Sequence, residues 1–240
     1  MGRRVKISIV TPTTPARRPF LLELAKCIQT QTYTDRLEWI ILDEYKTGEP
    51  KPEEPSISSI RNDRRDWQSR IEYHAFSNTV PYSTGRKRNF VNSLTTGDII
   101  VHMDDDDWVA PGRLDDQIDL LESSGKPVVG YHTFLYWHYA EGRGYRYNDP
   151  TFRPHAAGTS LCYRKSYWET HKFEDRFVGE DFLFCTKAKC TNELASKDAE
   201  QFLVARIHGG NTCVPKFGTR KYPAAPDSDF PREFLLTVGK

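Results

Sequence analysis

Four consecutive carboxylates, Asp104, Asp105, Asp106 and Asp107, are the residues of this chain best suited to chemistry. They come directly after an apolar run, Ile99 to Met103, and before Trp108 and Pro111. Carboxylates crowded at the end of a buried strand repel one another and resist ionisation unless a cation neutralises them. Hard oxygen ligands of this kind suit Mg²⁺ or Mn²⁺, which typically take one or two carboxylates and complete their shell with phosphate oxygens. A solvated acidic turn capping the next helix is the competing reading, and the apolar strand just before it weighs against that. A calcium loop is excluded: Trp108 and Ala110 stand where oxygen ligands are required, and Asp115 stands where the closing Glu belongs.

Other groups could join this chemistry. Gly85-Arg86-Lys87-Arg88-Asn89 lies at a predicted helix start, where cations and free N–H groups favour an anion such as a diphosphate. Ordinary surface basicity is the alternative. Gly125-Lys126 runs into Pro127 and lacks the upstream Gly of a phosphate loop. Gly179-Glu180-Asp181-Phe182 sets an acidic pair at another helix start, a place the helix dipole favours whatever the function. His208 follows a short apolar run, Val204 to Ile207, and precedes two glycines that permit close approach to a ligand. Cys185-x4-Cys190 and His208-x4-Cys213 are spaced unlike the tight knuckles of zinc sites, which argues against zinc.

The elements that must position these groups can be read from apolar patterning. Val5 to Thr11 predicts a buried strand, Phe20 to Ile28 an amphipathic helix and Leu37 to Leu42 a second strand, together a βαβ unit with a parallel sheet. Lys46 to Ser59 reads as a loop and Arg61 to Arg70 as a short exposed helix. Ile71 to Phe76 predicts a strand, Arg86 to Leu94 a helix, Ile99 to Met103 a strand and Pro111 to Leu121 a helix. Aromatic-rich short strands after Val128 predict an antiparallel or mixed second half, and the Pro-rich tail from Pro215 reads as loosely held.

Length and composition bound the answer. The 240 residues suit one domain, and hydrophobic residues at 38% leave room for a core and for long polar loops. Lys and Arg number 34 against 33 Asp and Glu, which argues against a protein that coats nucleic acid or anionic membrane. That balance also disfavours single-stranded nucleic acid as a ligand for the aromatics between Tyr131 and Phe152, despite the interleaved Arg143 and Arg146. No run approaches the ~20 apolar residues of a transmembrane helix, and Met1 to Val10 is too weakly apolar for a secretion signal. Five scattered cysteines fit a reduced, cytoplasmic setting, with a partner as the only expected route to a membrane.

Taken in order, several of these segments resemble the GT-A glycosyltransferases, most nearly the family-2-like inverting enzymes. They are Ile7-Ser8-Ile9-Val10-Thr11-Pro12-Thr13, Ile40-Ile41-Leu42-Asp43, Gly85-x-Lys87-Arg88-Asn89, Gly97-Asp98-Ile99-Ile100 and Met103 to Trp108. The resemblance covers most of residues 5–210 and implies an α/β, Rossmann-related mixed sheet flanked by helices, as one GT-A-like domain over residues 1–240. Its nucleotide-binding half would be about 1–110 and its acceptor half about 111–214, with an extended tail over 215–240. The implied reaction moves a sugar, with inversion, from a nucleotide-diphosphate sugar (a UDP-sugar is favoured) to the hydroxyl of a glycan or other acceptor.

By the same resemblance, Pro12, Thr13, Thr14 and Asp43 hold the base, and Lys87 and Arg88 lie near base or phosphates. Asp104 and Asp105 reach ribose or phosphate, while Asp106, joined by His208, binds Mn²⁺ or Mg²⁺. Asp181 becomes the general base that removes the acceptor proton, with Glu180 orienting it. One or two rings of the aromatic segment would stack on an acceptor sugar. Two rivals belong to other classes: a non-catalytic nucleotide-sugar-binding module, and a sugar nucleotidyltransferase. The second should carry a Gly-rich, Lys-containing segment after the first strand, where Thr11-Pro12-Thr13-Thr14-Pro15 stands.

Overall fold

A computed structural model describes residues 5–33, 36–53, 70–148, 153–211 and 214–240. The first part of the chain runs β1 (Ile7–Thr13), α1 (Arg18–Gln29), β2 (Leu37–Lys46), β3 (Arg70–Asn78), α2 (Thr84–Ser93) and β4 (Ile99–His102). After the aspartates come β5 (Trp108–Val109), α3 (Arg113–Ser124), β6 (Val128–His138) and β7 (Arg143–Asn148). Next are β8 (Cys162–Arg164), α4 (Lys165–Thr170), α5 (Glu180–Cys190), β9 (Leu194–Asp198) and β10 (Leu203–Ile207), and the chain closes with β11 (Ala224–Ala225) and α6 (Arg232–Thr237).

One mixed sheet takes up all these strands in the order β11-β7-β6-β8-β4-β1-β2-β3, with β5, β9 and β10 joined at the side. β1 pairs in parallel with β2 and β4, and β2 with β3, as the βαβ reading requires. Side chains alternate across β2: Trp39 and Ile41 face α1, whereas Ile40 and Leu42 face Val91 of α2 and Phe184 of α5. With helices on both faces, a continuous apolar run is what a buried parallel strand needs. The second half is mixed, and β6 is its hub. Val128 and Val129 pair antiparallel with β8 and parallel with β9, whereas Leu135 to His138 lie between antiparallel β7 and parallel β10.

Local chemistry moved several boundaries. α2 starts at Thr84 rather than Arg86, because the Ser83 hydroxyl accepts the Arg86 N–H at 3.1 Å and caps the helix earlier. α3 runs past Leu121 to Ser124 and stops at Gly125, whose φ of +64° makes the left-handed cap. The short helix expected at 61–70 lies, but for Arg70, which opens β3, outside the described residues, as do residues 54–59 of the loop expected before it. Among the described residues, no helix is long and apolar enough to cross a membrane.

The tail is not loosely held. β11 pairs with β7, and Phe230 and Phe234 pack with Trp108 and Trp137, Phe234 being completely buried. Phe217 stacks on Tyr145 and Tyr222 packs against Tyr147, and four aromatics scattered through a Pro-rich, charged segment register as no periodic pattern.

At the amino ends of β1 and β2 a buried carboxylate ties the sheet together. Glu38 pairs with Lys6 and accepts hydrogen bonds from Ser8 Oγ (2.6 Å), Thr96 N (2.6 Å) and Gly97 N (3.2 Å). Burial alone would raise its pKa, but these donors bring it down to about 2. Gly97 is required here, since a Cβ would stand 2.5 Å from Ser8 Oγ and 2.8 Å from Ser8 N.

Candidate active site

The carboxyl ends of β1, β4 and β10 open on a cavity of about 350 Å³, bordered by Arg17, Arg88, Asp104, Asp106, Asp107 and Asp181 among others. Such a place, beyond the carboxyl ends of parallel strands, is where open α/β sheets bind ligands. The aspartate run emerges from β4 directly into it. Asp105, Asp106 and Asp107 are buried, while Asp104 is partly exposed.

Each of the four meets different partners. Asp104 Oδ1 faces Arg88 at 3.4 Å. Asp105 accepts from Thr13 Oγ1 at 2.6 Å and from Arg17 at 2.8 Å. Asp106 Oδ2 accepts from Arg17 at 2.8 Å and Asn211 Nδ2 at 3.2 Å, and lies 3.1 Å from His208 Nε2. Asp107 accepts the Arg206 N–H at 3.2 Å. These bonds do not neutralise the run. Burial, reinforced by Asp106 and Asp104, pushes Asp105 up to about 7 in spite of Arg17, and the same causes push Asp107 well above the carboxylate range.

The residual demand for positive charge, with the carboxylate of Asp106 beside an imidazole, fits a hard divalent cation such as Mn²⁺ or Mg²⁺ in donor chemistry. As the described residues stand, however, no group of three His, Cys, Asp or Glu side chains is arranged to hold an ion. The nitrogen donors of Arg17 and Asn211 already take up the Asp106 oxygen. His208 is itself fixed: its ring stacks on Phe20 at 4.4 Å, and its Nδ1 accepts the Gly210 N–H at 3.0 Å. With Nδ1 taken by the Gly210 N–H, Nε2 is the ring nitrogen left facing Asp106.

Arg88 is turned inward. Fully buried, it donates to Glu180 at 3.1 Å and to His102 Nδ1 at 2.7 Å, besides facing Asp104. Burial and the charges of Arg88 and Arg113 hold His102 neutral, so its Nε2–H points to the Tyr163 hydroxyl at 2.5 Å. Arg88 therefore braces the start of α5 against the end of β4. Lys87 lies elsewhere, its Nζ paired with the buried Glu44 at 2.6 Å at the end of β2.

Asp43 also belongs to the end of β2, in register with Thr13 of β1. It is fully buried; Oδ2 accepts from Tyr73 at 2.5 Å, with Arg18 at 3.5 Å, and Oδ1 has no partner among the described residues. A buried carboxylate oxygen without a donor is costly unless a ligand supplies one. Pro12 and Thr14 are half-buried on the same rim, Thr14 leading into the turn that carries Arg17.

Asp181 projects from the first turn of α5, where Oδ2 accepts the Gly158 N–H at 2.9 Å and Oδ1 the Phe182 N–H at 2.7 Å. Gly158 is needed for this approach, because a Cβ would meet Arg88 at 2.8 Å and Asp181 Oδ2 at 2.9 Å. On its far side Asp181 borders a second cavity of about 240 Å³, walled by Phe134, Tyr136, Tyr147, Phe182 and Tyr222, with Lys221 at its edge. Phe134, Tyr136, Ala157 and Asp181 line both cavities.

The structure thus brings together Thr13, Arg88, Asp104, Asp105, Asp106, Asp181 and His208, and keeps Asp43 and Lys87 at the neighbouring β2 end. Arg17, Gly158, Asn211 and Tyr222 were not singled out from sequence; the spacing of Asn211 three residues after His208 is the one local signal for any of them. Among the described residues the cysteines make no cluster: Cys185 is buried and its thiol meets the Ala156 carbonyl, and Cys190 is exposed; Cys213 lies outside the described residues.

Residues 8–176 match the family model described as Glycosyl transferase family 2. Among solved structures the chain is similar to Staphylococcus aureus TarS 1–349 in complex with UDP-GlcNAc, with a TM-score of 0.62 and 17% identity over 86% of this chain and 60% of that one. It is also similar to the mannosyltransferase PcManGT from Pyrobaculum calidifontis in complex with GDP-Man and Mn²⁺, with a TM-score of 0.59 and 17% identity over 90% of this chain and 59% of that one. The chain therefore spans about 60% of these two structures, and 37% of a longer TarS structure. At such identities the likeness is one of fold. No curated protein matches the chain at a significant level.

Proposed function

This chain belongs to glycosyl transferase family 2, and from that premise we propose that it transfers a sugar, with inversion, from a nucleoside-diphosphate sugar to an acceptor hydroxyl. The observation that carries the reading is the position of Asp181 on the shared wall of two cavities, one rimmed by the aspartate run and the other by aromatic rings. An inverting transfer needs a base on the side from which the hydroxyl attacks, opposite the departing diphosphate.

In this reading the donor lies across the carboxyl ends of β1, β2 and β4. Asp43, with its unpartnered oxygen, Thr13 beside it, and Pro12 and Thr14 on the rim hold the base, and a UDP-sugar is the favoured donor. Lys87 serves the same β2 side. Asp104 and Asp105 meet ribose or phosphate, and Asp106 with His208 would hold Mn²⁺ or Mg²⁺. That cation, when bound, supplies positive charge to the leaving diphosphate. The acceptor occupies the aromatic cavity, where the apolar face of a sugar stacks on Tyr222 or Tyr147. Asp181 takes the hydroxyl proton as the new bond to the anomeric carbon forms and the bond to the diphosphate oxygen breaks. Arg88, through Glu180, keeps α5 and therefore Asp181 in place.

A panel of UDP-glucose, UDP-galactose, UDP-GlcNAc and GDP-mannose, each with Mn²⁺ or EDTA, tests the proposal. The expected result is nucleoside diphosphate released from at least one donor with Mn²⁺ and not with EDTA. Release that is equal in EDTA would remove the cation from the reading, and no binding or turnover of any donor would remove the reading itself.

A further inference from the structure

Arg17 occupies the place in the site where a positive charge is most needed. It sits on the short turn Pro15–Arg17 between β1 and α1 and reaches across the mouth of the aspartate run. One guanidinium nitrogen donates to Asp105 Oδ1 and the other to Asp106 Oδ2, both at 2.8 Å, and the second also donates to the Gly210 carbonyl at 3.1 Å. The planar fork thus spans two different carboxylates and ties them to the turn that carries His208 and Asn211.

The Asp106 oxygen it uses is crowded. Oδ2 also accepts from Asn211 at 3.2 Å and faces His208 at 3.1 Å, so three nitrogen-bearing groups surround one oxygen atom. With three nitrogens already around it, that oxygen can take a divalent cation only by giving up at least one of them. The Arg17 side chain is 22% exposed and has solvent to move into, whereas Asp105 and Asp106 are nearly buried and have none.

We propose that Arg17 is the resident counter-ion of the aspartate run, holding Asp105 and Asp106 together when no metal is bound and exchanging with the divalent cation when one arrives. The inference rests on the reading of Asp106 as a cation ligand and adds that the chain carries its own competitor for that position. Arg17 is thereby the residue that sets how tightly the free protein binds metal. Its loss should tighten metal binding while weakening the metal-free fold, an opposite pair of effects that a metal-binding residue would not give.

The test uses the whole chain and Mn²⁺ alone, without nucleotide, with free Mn²⁺ followed by its electron paramagnetic resonance signal and melting followed in EDTA and in Mn²⁺. Arg17→Gln should bind Mn²⁺ about tenfold more tightly, the equivalent of one charge-assisted contact no longer displaced. It should also melt below the natural protein in EDTA and recover more of its melting temperature on adding Mn²⁺. Arg17→Lys, whose single ammonium cannot span both carboxylates, should fall between the two and serves if the Gln variant does not fold. Equal or weaker Mn²⁺ binding in both variants overturns the exchange while leaving the metal reading intact. No specific Mn²⁺ binding by any of the three proteins takes both down.

Discussion

The same parallel strands end in two buried carboxylate sites, and the two are solved in opposite ways. At the amino ends, Glu38 is surrounded by the Lys6 ammonium, two hydroxyls and two backbone N–H groups, and its pKa falls to about 2. At the carboxyl ends, Asp105 rises to about 7 and Asp107 is pushed well above the carboxylate range, although Arg17, Thr13 and Arg206 all donate to the run. Both carboxylates are shut off from solvent, but the donors match the charge of Glu38, whereas Asp105 lies deeper, beside other carboxylates, with too few donors to offset the burial. A satisfied buried charge is a structural fastening. One left short of positive charge marks where a ligand completes the protein.

The largest effect expected from this contrast is at the carboxyl end. Asp181→Asn should cut transfer by about 10²–10⁴-fold, the usual range for removing a general base, while binding of UDP stays within about twofold. A matching loss of UDP binding would deny it the role of base. At the amino end the signs reverse: Glu38→Gln should lower unfolding stability by about 3 kcal/mol, as breaking a buried pair does, with the turnover of folded protein unchanged. Urea unfolding beside a steady-state assay separates the two.

The pH dependence of stability sharpens the contrast. Glu38 has a folded-state pKa below its ordinary value of 4.5, so its contribution is complete above about pH 4.5 and is lost as the pH falls toward 2. Asp105 is raised above 3.8 to about 7, so its contribution is present below about pH 4 and is lost as the pH rises to 7. Melting of Glu38→Gln should lose the acid-limb dependence, and melting of Asp105→Asn in EDTA should lose the fall between pH 4 and 7. The smallest effect belongs to the acceptor side. Tyr222→Ala should raise the acceptor KM about tenfold and leave donor hydrolysis alone; an equal change in both would place the ring outside the acceptor cavity.

Much of the first half was legible because its signals are local. Continuous apolar runs predicted β1, β2 and β4 to within a few residues, and the aspartate run announced its own site by sitting at the end of one of them. What escaped notice depends on distance along the chain. Arg88 meets Glu180 across 92 residues, and Arg17 meets Asp105 across 88, pairings that no periodicity encodes. Arg88 reads equally well as a cation pointing at phosphate until the buried Glu180 is seen to hold it. Gly158 could not be read at all, since only the approach of Asp181 and Arg88 shows why a side chain is forbidden there. The docked tail was missed for a different reason: Phe230 and Phe234 are ordinary exposed-looking aromatics until Trp108 and Trp137 are brought beneath them.

β6 has a mechanical consequence. Its last residues run beside β10, whose end delivers His208, and its Phe134 and Tyr136 form part of the aromatic cavity. A single rail therefore carries fittings for both proposed reactants, and Phe134 and Tyr136 line both cavities. Seating one partner should alter the grip on its counterpart, making the order of loading a property of the backbone rather than of any one side chain.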